Sequence, residues 1–325
     1  MDGYASLPRR LRLNGRHLHF AGFWFLAQCC NLPALAAPND GAIVAADTPI
    51  SFTLLPQTLK DADIQVFNGA PAKSGDWRSI AISQSGSVDS TCTATFVGKG
   101  VLLTAAHCVV LGSNHFASPI SIGPFRYRCS VDPAYLSTTQ MPSVRHPADY
   151  ALCLAEPYSG TVPAEFQRLL WDTLDLRAVA KNDLLLVAGY GCVSWTFNPA
   201  TGHIADEPGD KTLAVGDFKV TDLDADSFSS ESDGKTKSAL CAGDSGGPAF
   251  SGVSAMNPGG ARTIRGIASR KHVDDSKVVS HFASLSTPRF GRFLACWKKA
   301  NPNAYVMVKT SGTTTVENLI CGSDA

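Results

Sequence analysis

The sequence predicts an all-β protein, built from antiparallel β-barrels or from a sandwich of two sheets. From residue 66 onward, short runs rich in β-forming residues alternate with clusters of Gly, Pro, Asn and Asp. Representative runs are SIAIS (79–83), TCTATFV (91–97), GVLLTAA (100–106), YALCL (150–154), DLLLVAGYG (183–191), KTLAVGDFKV (211–220), TIRGIAS (263–269) and KVVSHFASL (277–285). One stretch has the pattern of a long helix, PRFGRFLACWKKA at 288–300, with Ser286 or Thr287 as the candidate cap.

The first 36 residues have the features of a secretory signal peptide. Four arginines within residues 9–16 precede the apolar run FAGFWFLAQCCNLPALAA at 20–37, which ends in small residues that fit a signal-peptidase site. Gln28, Asn31 and Pro33 interrupt this run, so it is a poor membrane span, although an uncleaved anchor remains the alternative. We therefore expect a secreted or periplasmic protein without stable membrane insertion.

Charge and cysteine content narrow the classes of function. The 325 residues include 28 Lys+Arg and 28 Asp+Glu, so the chain offers no basic surface for nucleic acid. Of the ten cysteines, Cys29 and Cys30 lie in the signal peptide, which leaves eight and predicts four disulfides in an oxidising compartment. The mature chain has no CxxC pair and no close Cys/His cluster, so we predict neither a metal site nor another cofactor.

The stretch CAGDSGGPAF at 241–250 places Ser245 in a glycine-rich turn, directly after an acidic residue. A serine hydroxyl becomes a nucleophile when a base takes its proton, a third group orients that base, and donors receive a developing oxyanion. CTATFVGKGVLLTAAHCVV at 92–110 supplies the candidate base, His107. HPADYALCLAE at 146–156 supplies Asp149, whose carboxylate could accept the second N–H of the imidazole.

TAAHC, DYAL and GDSGGP, in this order, resemble the motifs of the chymotrypsin-like (trypsin-family) serine proteases over residues 66–300. The resemblance implies two antiparallel six-stranded β-barrels, followed by a C-terminal α-helix and here by a short extra tail. It implies that His107 is the general base and acid, that Asp149 orients it, and that Ser245 is the nucleophile. The N–H groups of Gly243 and Ser245 would form the oxyanion hole. We therefore predict a serine endopeptidase, monomeric, that acts on protein or peptide substrates.

The resemblance also implies a set of disulfides. The cysteine that normally pairs with Cys241 is missing between residues 270 and 295, and Cys192 is the expected partner instead. The last pair would tie the non-family tail, residues 301–325, to the C-terminal helix. The expected pairs are Cys92–Cys108, Cys129–Cys153, Cys192–Cys241 and Cys296–Cys321.

The stretch VFNGAPAKSGDW at 66–77 resembles the mature N-terminus of the family. An activating protease that cuts before Val66 would free an α-amino group to pair with Asp244, and residues 37–65 would then be a pro-segment. Gln65 is not the basic residue that a trypsin-like activator prefers. The alternative is that residues 38–65 stay attached and that Asp244 is satisfied in another way.

Substrate preference is expected to depend on a neutral primary pocket. Ala239 occupies the position at its base, where basic-selective family members have Asp, so strict Lys/Arg preference is not expected and apolar or small side chains are favoured. Ser269 matches the serine that contacts the triad carboxylate and begins the substrate-pairing segment. Arg270 and Lys271 replace the usual Trp-Gly, and with His272 they leave recruitment of an acidic side chain open.

Three other interpretations are weaker. GDSGG also fits the nucleophile elbow of α/β-hydrolases, but that fold would need Asp274 or Asp275 with His281, and strands alternating with helices. A catalytically silent homologue could serve as a binding module, although all three triad positions are filled. Three aspartates at 222, 224 and 226 resemble the start of a calcium loop, but the expected glycine and glutamate are missing, so we predict a mobile polar loop.

Overall fold

The computed structural model describes residues 49–54, 70–71, 77–83, 91–110, 116–137, 148–192, 194–198, 203–207, 212–274, 277–310 and 321. The predicted signal peptide, Gln65, Val66 and Asp275 lie outside the described residues. Among those described, no helix is long and apolar enough to cross a membrane.

The described elements are mostly β-strands, and each of the β-rich runs named above contains one. The strands are β1 (Ile50–Leu54), β2 (Ala70–Pro71), β3 (Ile80–Ser83), β4 (Thr93–Gly98), β5 (Val101–Thr104), β6 (Ile120–Ile122), β7 (Phe125–Val131), β8 (Ala151–Ala155), β9 (Thr173–Asp175), β10 (Leu184–Gly189), β11 (Ser194–Asn198), β12 (His203–Glu207), β13 (Ala214–Lys219), β14 (Asp222–Leu223), β15 (Ser227–Ser232), β16 (Pro248–Ser251), β17 (Thr263–Asp274), β18 (Lys277–Ser284) and β19 (Val308–Lys309). The helices are α1 (Pro133–Leu136), α2 (Ala164–Gln167) and α3 (Pro288–Ala300). The all-β fold class with a C-terminal helix is confirmed.

The first sheet is a closed barrel with the strand order β1-β3-β4-β5-β8-β7-β6. Its pairs are antiparallel except for β1 and β6, which run parallel. The strands β3, β4 and β5 are buried at every position, because both faces of this part of the sheet are covered. The barrel therefore has seven strands, where the resemblance implied six.

The seventh strand comes from the segment that the sequence analysis assigned to a pro-segment. β1 pairs with β3 through Phe52, Thr53 and Leu54, and its first residue, Ile50, donates its N–H to the carbonyl of Pro119 at 2.8 Å. Phe52 is 2% exposed and belongs to the main hydrophobic core. The barrel therefore includes a strand from upstream of residue 66, while the domain boundary at that residue stays a prediction.

The second sheet has the strand order β14-β15-β18-β17-β16-β10-β13-β2, and β9 and β19 join it beside β17. The hydrogen bonds of its described residues leave this sheet open as a half-barrel, and together with the closed first barrel it agrees with the expected two-barrel, all-β fold. Phe218, Phe228 and Phe282 pack against one another in a separate core, with Phe228 and Phe282 stacked at 5.0 Å between ring centroids. β11 and β12 form a separate antiparallel pair.

Helix α3 begins at Pro288, and Thr287 caps it by accepting the N–H of Phe290 at 3.0 Å. Of the two candidate caps, Thr287 is thus the one used. The helix buries Phe290 and Phe293, which both pack against the ring of Tyr150 in the strand β8 region. This contact holds the helix against the segment that carries Asp149.

The tail after α3 folds back onto the first barrel and onto β9. Met307 donates its N–H to the carbonyl of Val97, and β19 pairs parallel with β9. The backbone approaches so closely that a β-carbon at Gly98 would overlap the carbonyl of Tyr305. Cys296 in α3 is bonded to Cys321 in this tail.

A buried ion pair joins the two sheets beside β9. Arg262, just before β17, binds Asp172 through its Nε at 2.8 Å, and both side chains are 9% exposed. The guanidinium also lies 4.0 Å from the ring centroid of Trp77 and 4.7 Å from that of Phe250. Ser79, which precedes β3, donates its hydroxyl to the same carboxylate at 2.5 Å. This cluster, here called the Arg262 clamp, connects the first barrel to the second sheet.

We predict that Arg262→Ala lowers the free energy of unfolding by about 3–5 kcal/mol, because it leaves the Asp172 carboxylate buried without its cation. Arg126→Ala is the matched control, since its ion pair with Glu156 spans 3.6 Å between side chains that are 39% and 36% exposed. That control should cost less than about 1 kcal/mol. Urea unfolding followed by circular dichroism measures both values, and equal losses would contradict the structural role of the clamp.

Candidate active site

His107 lies in a short 3-10 helix, Ala106–Cys108, directly after β5. A disulfide joins Cys108 to Cys92 at the start of β4, so the turn that carries the imidazole is fixed to the neighbouring strand. The His107 side chain is 34% exposed, while the residues on either side of it in the chain are buried. The imidazole is therefore partly exposed, while the backbone turn that carries it is buried and cross-linked.

Asp149 binds His107 twice. Oδ2 of the carboxylate lies 2.8 Å from Nδ1 of the imidazole, and Oδ1 accepts the backbone N–H of His107 at 3.0 Å. Ser269 also donates its hydroxyl to Oδ2. Burial alone would raise the pKa of Asp149, but the charge of His107 and the hydrogen bonds from His107 and Ser269 outweigh it and hold that pKa well below 3.8. The carboxylate is therefore ionised at neutral pH.

Ser245 is half-buried and lies in a turn that contacts both sheets. Its carbonyl accepts the N–H of Thr93 at 2.7 Å, and the next N–H, from Gly246, bonds to the carbonyl of Ala268 at 2.8 Å. Within the described residues the Ser245 hydroxyl donates to the carbonyl of Ser269 at 3.4 Å and not to the imidazole of His107. The Ser245 hydroxyl would have to turn away from this carbonyl to form a hydrogen bond with the imidazole.

Asp244 is fully buried beneath this turn. Its carboxylate accepts the N–H of Gly191 and the N–H of Cys241, both at 2.8 Å. The carboxylate packs so closely that a β-carbon at Gly189 or Gly191 would overlap it. Two peptide donors thus stabilise this buried charge in the conformation described, whereas Val66, its partner in the sequence prediction, lies outside the described residues.

The backbone at Gly243 and Ser245 leaves two N–H groups available. Gly243 has φ +107, a conformation that favours glycine, and a β-carbon there would lie 2.6 Å from the carbonyl oxygen of Tyr190. In the part of the chain that the structure describes, neither the N–H of Gly243 nor that of Ser245 donates to a protein acceptor. The turn therefore carries two N–H donors, on either side of Asp244 in the chain, without an acceptor among the described residues.

Thr93 is a site residue that the sequence analysis missed. Its Oγ1 donates to the carbonyl of Gly243 at 2.8 Å and accepts the N–H of Tyr190 at 3.3 Å. Thr104 in turn donates its hydroxyl to the carbonyl of Thr93 at 2.8 Å. Nothing in the sequence around Thr93 distinguishes it from other strand threonines, because its partners lie about a hundred residues or more away in the chain.

Tyr135, in α1, was also missed. Burial raises the pKa of its hydroxyl, the nearby charge of Asp149 raises it further, and Arg270 opposes both effects. Tyr135 and Arg270 are therefore within electrostatic reach of one another, on the Asp149 side of the site.

Ala239 and Lys271, both assigned to the predicted primary pocket, lie close to Cys241 in the structure. Ala239 is fully buried, and the next N–H, from Leu240, bonds to the hydroxyl of Ser280 at 3.0 Å. Lys271 pairs with Ser280 across the β17–β18 ladder, and its Nζ lies 3.7 Å from Sγ of Cys241. Strands β17 and β18 are therefore hydrogen-bonded to each other next to residues 239–241, and the Lys271 ammonium lies beside Cys241.

The structure contains the disulfides Cys92–Cys108, Cys129–Cys153, Cys192–Cys241 and Cys296–Cys321. Cys192 is adjacent in sequence to Gly191, one of the two donors to Asp244. The Cys192–Cys241 bond therefore links the two segments that hold this buried carboxylate.

The α/β-hydrolase interpretation is wrong, because the described sheets are mostly antiparallel and their strands do not alternate with helices. His281, its candidate base, bonds through Nε2 to Nδ1 of His272 at 2.8 Å. In the calcium-like stretch, Asp222 lies in β14 and Asp226 forms an ion pair with Arg289 at 3.3 Å. The predicted mobile loop is thus partly a strand.

Comparison with known proteins supports the resemblance stated above. The Trypsin family model matches residues 66–153, which include His107 and Asp149. No curated protein matches the sequence. A solved structure described as a Glu endopeptidase in complex with MPD aligns with 71% of this chain and 98% of its own, at 14% identity and a TM-score of 0.45. The family match confirms the likeness to trypsin-family proteases and, together with the two-sheet fold, supports a peptidase.

We predict that Ser269→Ala lowers the free energy of unfolding at neutral pH by about 1–3 kcal/mol, because it removes a hydrogen bond to a buried charge. The folded-state pKa of Asp149 is depressed, so its contribution is present above its unfolded-state pKa and is lost as pH falls through the lower folded value. Ser269→Ala raises the folded-state pKa of Asp149. Between about pH 4 and pH 2 the free energy of unfolding of the variant should therefore decrease by less than that of the wild type.

Urea unfolding at a series of pH values measures this difference. Ser137→Ala is the control, since its exposed hydroxyl donates to the carbonyl of Ala134 and touches no carboxylate. Identical pH profiles for Ser269→Ala and the wild type would show that the hydroxyl does not tune Asp149.

Proposed function

We propose that the chain is a secreted or periplasmic serine endopeptidase that uses Ser245, His107 and Asp149 as a catalytic triad. The observation that carries the proposal is the double hydrogen bond between His107 and Asp149. Because the carboxylate occupies Nδ1, the imidazole keeps Nε2 as the nitrogen that exchanges protons with the substrate side. Ionised Asp149 favours this tautomer and stabilises the imidazolium once it forms.

The proposed reaction proceeds through an acyl-enzyme. The Ser245 hydroxyl rotates away from the carbonyl of Ser269, passes its proton to Nε2 of His107, and its oxygen bonds to the carbonyl carbon of the scissile peptide. The negative charge moves to the former carbonyl oxygen, where the N–H groups of Gly243 and Ser245 receive it. The imidazolium then protonates the leaving amine as the C–N bond breaks. Water, deprotonated by His107, releases the acyl group and restores Ser245.

Substrate preference follows from the charge around Ala239. An uncharged, buried residue at the pocket base offers no carboxylate to a Lys or Arg side chain. The Lys271 ammonium beside Cys241 repels a cation in the same place. We therefore propose an enzyme without strict Lys/Arg preference that favours apolar or small side chains, and the same lysine makes an acidic side chain the second candidate.

Secretion is proposed from the amino-terminal segment and from the cysteines. The structure holds four disulfides, which persist in oxidising compartments and are uncommon in the cytosol. Their number and spread across both sheets support export of the folded enzyme.

We predict that a fluorophosphonate probe forms one adduct with the secreted protein and that peptide mapping places it on Ser245. Ser245→Ala should form no adduct, and Asp149→Asn should reduce peptide hydrolysis by about 10⁴-fold, because the imidazole loses its orienting charge. Intact mass spectrometry and a fluorogenic peptide assay measure these effects. A folded protein that neither reacts nor hydrolyses would be either an unprocessed precursor or a silent homologue with a binding role, and its intact mass would distinguish the two.

We predict that a peptide library is cut after apolar or small residues faster than after Lys or Arg. Lys271→Ala should improve the rates after Lys and Arg, since it removes a like charge, while Lys219→Ala, an exposed lysine on β13, should leave them unchanged. If the wild type instead cuts fastest after Glu or Asp and Lys271→Ala loses this preference, the enzyme selects acidic side chains and the predicted apolar preference is wrong.

A further inference from the structure

We propose that strand β1 is a permanent part of the active protease and that residues 37–65 are therefore not a pro-segment that leaves on activation. The inference concerns the regulation of the proposed serine protease and rests on that function. It reverses the expectation from the resemblance, in which loss of these residues creates the active enzyme.

β1 is held on both edges. It pairs antiparallel with β3 and parallel with β6, with Phe52 opposite Ser83 on one side and Ile122 on the other. Since β3 and β6 have no hydrogen-bonded ladder with each other in the described barrel, β1 is the strand that closes it. Its departure would leave two unpaired strand edges, which attract other chains.

Burial points the same way. Phe52 is 2% exposed and is among the largest fully enclosed side chains of the core, whereas Ser51, next to it, is exposed. This alternation is that of a half-buried barrel strand. Releasing the strand would expose the phenyl ring and open a space of the same size in the core.

A short chain of contacts connects β1 to the active site. Ser83, opposite Phe52, donates its N–H to the carbonyl of Cys92 at 2.8 Å, and its Oγ accepts the N–H of Cys92 at 2.6 Å. Cys92 is bonded to Cys108, which follows His107, and it precedes Thr93, which binds the Ser245 turn. The strand thus supports both the base and the nucleophile, and its loss would loosen them together.

The Ser245 turn also has its ordered conformation in a chain that includes β1. Asp244 already accepts two backbone N–H groups, from Gly191 and Cys241. A cut at Gln65–Val66 would be compatible with this arrangement, provided that the strand stays bound as a separate fragment. What the structure opposes is removal of the strand.

A disulfide across β1 and β6 tests the proposal in the full chain. Ser51 and Ser121 are direct partners in the parallel ladder, and neither is buried, so S51C/S121C changes little else. Intact mass identifies the cross-linked form, and the single variants S51C and S121C, each alkylated, are the controls. We expect the cross-linked protein to react with the fluorophosphonate probe at the rate of the single variants. If the strand had to leave, the rate would fall with the fraction of chains whose strand is free, by about tenfold when nine-tenths are cross-linked.

A second measurement does not depend on activity. A cleavage site for a specific protease replaces residues 58–63 in the full chain, and the cut protein is run on a native sizing column. We expect the amino-terminal fragment to co-elute with the body, and F52A to release it faster than S51A does. Early loss of the fragment from a protein that then gains probe reactivity would overturn the proposal. If neither the uncut parent nor the cut protein reacts with the probe, the serine-protease proposal fails, and co-elution still decides whether β1 is retained.

Discussion

Thr93 provides the hydrogen bonds on which the geometry of the site depends. The strand that contains it belongs to the first barrel, yet its N–H donates to the carbonyl of Ser245 beside the second sheet. Its hydroxyl donates to the carbonyl of Gly243 and accepts the N–H of Tyr190 on the same side. The proposed nucleophile, Ser245, and the proposed base, His107, belong to different sheets, so they can cooperate only if their separation is fixed to a fraction of an ångström. Three hydrogen bonds from one residue meet this requirement more rigidly than a hydrophobic contact between the sheets, because hydrogen bonds are directional.

Two buried carboxylates flank this junction, and the fold stabilises them by different means. Asp149 receives an imidazole and a hydroxyl, so its charge acts on a side chain that can itself take up a proton. Asp244 accepts the N–H groups of Gly191 and Cys241, so its carboxylate connects these two backbone segments. The Cys192–Cys241 disulfide joins the two segments that donate to Asp244. A cysteine at position 192 can therefore constrain the segment of Cys241, although the family's usual partner cysteine lies elsewhere.

Much of the site was predictable because it is encoded in short, contiguous motifs. TAAHC, DYAL and GDSGGP each combine a reactive residue with the turn or strand that presents it, so local sequence was enough to name His107, Asp149 and Ser245 as candidates. Thr93 and the Arg262 clamp were not predictable, since their partners are distant in sequence and a strand threonine or an arginine has no local signature. β1 was missed for another reason. ISFTL alternates as a strand should, but a strand's partners depend on the whole sheet, and the resemblance directed attention to residue 66 as the start of the domain.

Strand β1 and the C-terminal tail, at opposite ends of the described chain, both extend the hydrogen bonding of a sheet. Each adds backbone hydrogen bonds to a sheet edge: β1 closes the first barrel, and β19 pairs with β9, the strand that follows Asp172 of the Arg262 clamp. The clamp and the tail join the sheets through contacts that do not involve Thr93, so two sets of contacts connect the two sheets. A single junction would allow rotation about it, and a rotation of the sheets would change the position of Ser245 relative to His107. Two junctions remove that freedom, and the residues outside the family-like region are therefore part of what makes the site rigid.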